Sequence, residues 1–122
     1  MNLVALVALG GAIGSVSRYL LGILFKWIFP FAFPFSTLLI NIAGSFCIGY
    51  LYSSFQHQSS FPIIKPLLII GVLGGFTTFS SYSFEVLELL ENKQIQKALL
   101  YVFFSNVFGI AAAYWGYKLF AS

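Results

Sequence analysis

Residues 71–85 read GVLGGFTTFSSYSFE. Gly71, Gly74 and Gly75 lead into a run in which six of the seven residues from 77 to 83 carry a hydroxyl. Each glycine weakens a helix by about 1 kcal/mol relative to alanine. Thr77, Thr78, Ser80 and Ser81 add side-chain oxygens that compete with the helix for backbone partners. Together they predict a helix broken near residues 74–78. A plain glycine kink is the simpler alternative, but it leaves the hydroxyls without a use. Unwound backbone at membrane depth survives only where protein buries it or where it lines an aqueous cavity. Carbonyls freed there suit a bare cation.

The rest of the chain shows why membrane depth is the right setting. Its 122 residues are 60% hydrophobic and 7% charged, with a mean hydropathy of +0.95, against roughly 25% charged in a soluble domain. Residues 1–17, 27–64, 66–84 and 98–117 hold no charge at all. A crossing takes roughly 20 apolar helical residues. The expected fold is therefore an all-α membrane protein, a single domain over residues 1–122 with helices at about 3–25, 36–52, 64–90 and 98–120. Residues 2–25 are read as the first membrane helix rather than a signal peptide, because no Lys or Arg precedes an apolar stretch too long for one. Between the first two helices lies WIFPFAFPF (27–35), where Pro30 and Pro34 stop the helix and the rings suit a membrane interface.

Composition also excludes several kinds of chemistry. Six Lys and Arg scattered among apolar segments form no patch for nucleic acid. Cys47 has no partner cysteine, and His57 stands alone in a polar loop, so neither a disulfide nor a clustered metal site is expected. With three Glu and no Asp, no catalytic constellation can be assembled, and no enzyme activity is expected.

Small and polar residues recur at helical spacing: Gly11, Ser15, Arg18 and Gly22; Thr37, Asn41, Ser45 and Gly49; Tyr101, Ser105, Gly109 and Ala113. For the glycines, close helix packing explains the pattern. For Asn41, packing and ligand contact are both open. Arg18 either snorkels or lines a polar cavity. Loop charges are nearly balanced: Lys65 and Lys118 share one side with the termini, while Lys26, Lys93 and Lys97 lie opposite, joined by Arg18 if it turns that way. So weak a bias lets the chain insert in either direction.

GGAIGSVSRY (10–19), TLLINIAGSFCIG (37–49) and GGFTTFSSYSFE (74–85) resemble the motifs of the fluoride ion channel family, Fluc or CrcB, across all four helices. The resemblance implies a fluoride-selective channel in a bacterial cell membrane, exporting the anion passively and protecting the cell from its toxicity. It implies an antiparallel dual-topology dimer, with a structural sodium ion at its centre held by the carbonyls of Gly74 and Thr77. It implies a pore lined by Asn41, Thr37, Phe79, Ser105 and Tyr101, with Arg18 near a vestibule. Fluoride is small, hard and strongly hydrated, so donors such as the Asn41 amide must replace its water, and the ring edge of Phe79 is electropositive. Phe76 is read as packing, and Glu85 matches an acidic position with no assigned role.

One position departs from the pattern. Tyr82 stands where the family usually has a second phenylalanine. It belongs with the pore residues, and its hydroxyl leaves open a homodimer or one half of a heterodimer. A small multidrug efflux transporter is the competing class, but it needs a membrane carboxylate, and the first two helices have none. A non-conducting assembly subunit would explain the glycines and not the hydroxyl run.

Overall fold

The computed structural model describes residues 2–31 and 33–120. Ala32, within the aromatic stretch 27–35, lies outside them. Four runs are long and apolar enough to cross a membrane: Leu3–Ile28, Phe35–Phe55, Phe61–Glu91 and Ile95–Lys118. The first two are α1 and α2, and the last is α5. The third is divided into α3 (61–76) and α4 (Phe79–Glu91).

Local chemistry sets these limits. The Asn2 side chain accepts from the backbone N–H groups of Val4 (2.9 Å) and Ala5 (3.4 Å) and so caps α1. Pro30 bars α1 from continuing, and α2 begins directly after Pro34. Pro62 occupies the first turn of α3, where a missing N–H costs nothing. Lys93 closes α4 with a left-handed φ of 59°, and the Gln94 N–H reaches back 2.8 Å to the Leu89 carbonyl.

The break falls within the expected window, at Thr77 and Thr78. Both have extended backbone, with φ −83°, ψ 155° and φ −149°, ψ 118°. Ahead of it comes a feature the periodicity did not announce, since Lys65–Leu73 is wound as a π-helix. Pro66 at its start has no N–H to give and crowds the carbonyl one turn back, a recognised cause of helix distortion.

Packing pairs α1 with α3 and α2 with α5. A methyl group at Gly14 would collide with the Val72 carbonyl, and one at Gly49 with the Ala113 carbonyl. Helix backbones therefore touch directly, as apolar surroundings favour. On α1 the tightest contacts come from Gly10 and Gly14. A side chain at Gly11, one of the expected stripe, would meet nothing, although its carbonyl and Ser15 lie against Gly75. The buried cluster is small: Leu38, Leu89, Ala98 and Tyr101, with Phe33, Phe35, Tyr82 and Phe104 against it. Most large apolar side chains face outward, as lipid-facing helices require. The aromatic stretch behaves in two ways. Trp27 and Phe31 are exposed, but Phe33 turns inward and packs edge-on against Tyr101 at 5.6 Å.

Candidate functional site

The hydroxyls around the break have separate uses. Thr77 Oγ1 donates to the Leu73 carbonyl at 2.9 Å, finishing α3. Thr78 Oγ1 accepts the Ser81 N–H at 3.1 Å, capping α4, and lies 3.2 Å from Ser80 Oγ. The positive end of the α4 dipole therefore starts at the break.

Asn41 on α2 holds the two halves in register. Its Oδ1 accepts the Thr78 N–H at 2.9 Å, and its Nδ2 donates to the Thr78 carbonyl at 3.1 Å. One amide hydrogen remains for another partner. The Thr78 N–H is thereby diverted from the Gly74 carbonyl, and the Ser81 N–H goes to a side chain instead of the Thr77 carbonyl. Among the described residues, neither carbonyl accepts a hydrogen bond.

These groups open onto a cleft of about 320 Å³. Its walls bring together Asn41, Gly74, Thr77, Phe79, Tyr82 and Ser105, six of the nine residues singled out from the sequence. The Ser105 hydroxyl is buried there without a partner. Phe79 is 77% exposed along the cleft, and its ring centroid lies 5.5 Å from that of Tyr82.

The other three, Arg18, Thr37 and Tyr101, gather one turn away around Glu85. Thr37 donates to one Glu85 oxygen, and the Tyr101 hydroxyl donates to the other at 3.2 Å. Arg18 Nε donates to the Gly75 carbonyl at 3.1 Å, and with Thr37, Thr78 and Glu85 it lines a second hollow of about 180 Å³. Arg18 thus lines a polar cavity. Beyond Thr37, a wider mouth of about 700 Å³ opens between Lys26, Phe33, Ser81 and Glu88. Thr78 lines both the cleft and the smaller hollow, and the Tyr82 and Tyr101 rings meet edge-on at 5.1 Å, so the two groups adjoin.

Two participants escaped the sequence reading. Glu85, matched to an acidic position but given no role, ties α2, α4 and α5 together. Asn106 donates to the Tyr82 hydroxyl at 3.3 Å, and its place beside Ser105 was the available signal. Phe76 packs against Gly44 and is absent from the cleft walls, as a packing residue should be.

Comparison with known proteins identifies the family. Residues 5–117 match the family model described as CrcB-like protein, Camphor Resistance (CrcB). A protein of Thermus thermophilus named fluoride-specific ion channel FluC is 47% identical over 114 residues, which cover 93% of this chain and 91% of the relative. The protein of that name from Shewanella frigidimarina is 45% identical over 122 residues, 100% of this chain and 98% of its own length. That from Rhizobium meliloti is 42% identical over 120 residues, covering 98% and 96%. The chain is a multi-pass protein of the bacterial cell membrane and belongs to the CrcB-like family.

Proposed function

We propose that this chain is a subunit of a fluoride-selective channel that lets the anion leave the cell passively. The observation that carries this reading is the cleft at the broken helix, where unengaged donors and aromatic edges converge at membrane depth. A hard anion sheds its water only where fixed donors replace it. The spare Asn41 amide hydrogen and the unpartnered Ser105 hydroxyl are such donors. Phe79 adds a positive ring edge, and the N-terminus of α4 adds a positive dipole end. The cationic Arg18 and Lys26 at the adjoining hollow raise the local anion concentration. The relatives' shared name supports fluoride as the anion.

Further parts of the reading follow from the same features. Two copies inserted antiparallel would close the open cleft, and the balanced loop charges allow it. The Gly74 and Thr77 carbonyls are hard, uncharged and, among the described residues, free of hydrogen bonds, so they fit a sodium ion. That ion would supply a fixed positive charge joining the two copies at the break. Tyr82, in the place of a usual phenylalanine, favours a second reading in which a related subunit completes the pore.

The deciding experiment is efflux from fluoride-loaded liposomes, followed with a fluoride electrode. Efflux with this chain alone supports a homodimer, and efflux only with a related subunit supports the heterodimer. No efflux under either condition removes the channel reading. Chloride flux equal to fluoride flux would refute selectivity at Asn41 and Phe79.

A further inference from the structure

The Tyr82 hydroxyl is a cleft donor held by a side chain of another helix. Asn106 Nδ2 donates both to the Val102 carbonyl one turn earlier on α5, at 2.8 Å, and to the Tyr82 hydroxyl, at 3.3 Å. Both amide hydrogens are thereby engaged. The Tyr82 oxygen is the acceptor in this pair, so its own proton is not directed at Asn106. The ring cannot easily swing away, because Phe79 lies 5.5 Å from its centroid and Tyr101 meets it edge-on at 5.1 Å. Tyr101 is fully buried and hydrogen-bonded to Glu85, which makes it a rigid stop. Tyr82 and Asn106 line the cleft together with Asn41 and Ser105.

We propose that Asn106 is a positioning residue that holds the Tyr82 hydroxyl as a hydrogen-bond donor to the permeating anion. The inference rests on the channel reading above and deepens it. A phenylalanine offers an anion only its weakly positive ring edge, whereas a fixed O–H offers a bond whose strength follows the hardness of the acceptor. The pair therefore favours fluoride over larger, softer anions in a cleft otherwise supplied by Asn41 and Ser105.

The test compares Y82F, N106L and the double variant in liposomes, measuring efflux rate against fluoride concentration. Each single variant is expected to raise the half-saturating fluoride concentration about tenfold, the size of one lost hydrogen bond to a charged group. The double variant should match Y82F, because Asn106 acts only through the hydroxyl. An equal loss from N106L in the Y82F background overturns the proposal, as does an unchanged half-saturation in both single variants.

A second readout does not depend on conduction. In protein labelled with 3-fluorotyrosine, the fluorine resonance of residue 82, identified by its absence in Y82F, should shift with sodium fluoride but not sodium chloride. N106L should abolish that response. A responsive resonance without efflux, either alone or with a related subunit, overturns the channel reading and supports the donor pair. Efflux with an unresponsive resonance does the opposite, and neither signal overturns both.

Discussion

Asn41 makes the shortest argument at the scale of the residue. One side chain clamps both polar atoms of the Thr78 backbone and keeps a hydrogen for the cleft. N41A should lower the free energy of unfolding in detergent by about 1 kcal/mol, since it leaves half-buried backbone groups unpaired. It should also abolish fluoride efflux, a loss that a destabilised but folded protein would not show by itself. Glu85 sets a contrasting case. E85L strips the partner from both Thr37 and Tyr101, so its stability loss should exceed that of Y101F, which removes only one of the two bonds. Denaturation midpoints of the two variants would check the order. Asn41 was legible from its type and its position in mid-helix. The Glu85 cluster was not, because Thr37, Glu85 and Tyr101 lie far apart in the chain and only the packing of three helices brings them together.

Among the elements, the glycines of α1, α2, α3 and α5 include close backbone contacts, and they do not all matter equally. Gly14 and Gly49 sit against neighbouring backbone carbonyls, which cannot yield as a side chain would. G14V and G49V should each cost about 1–3 kcal/mol, the usual penalty of overpacking a close contact. G11A should be neutral or slightly stabilising, because the added methyl meets open space and alanine favours the helix. Thermal unfolding in detergent would separate the two classes. Spacing at three and four residues revealed that α1 carries a small-residue face. It did not say that Gly10 and Gly14 make the closest approach, because neighbouring glycines satisfy nearly the same pattern. Likewise the hydroxyl run exposed the break at Thr77 and Thr78, while the π-helix before it depends on how Pro66 seats against its own preceding turn.

At the level of the whole molecule, charge distribution decides which way up the chain sits. Adding two lysines to the turn between Glu91 and Lys97, on the side that already holds Lys26, Lys93 and Lys97, should commit every copy to one orientation. If the conducting unit is an antiparallel pair, efflux should then fall to background, and co-expression with a variant biased the other way should restore it. Unaltered efflux from the single biased variant would argue for a parallel or monomeric unit. The π-helical stretch Lys65–Leu73 bears on a different property of the molecule, its tolerance to changes in length. A helix wound with extra residues per turn holds slack. Deleting one residue there tightens π turns into α turns and leaves the break where it is. Deleting one residue within α4 has no such reserve, and turns everything beyond it by about 100° about the helix axis. The half-helix before the break can therefore absorb the loss of a residue, and the half after it cannot.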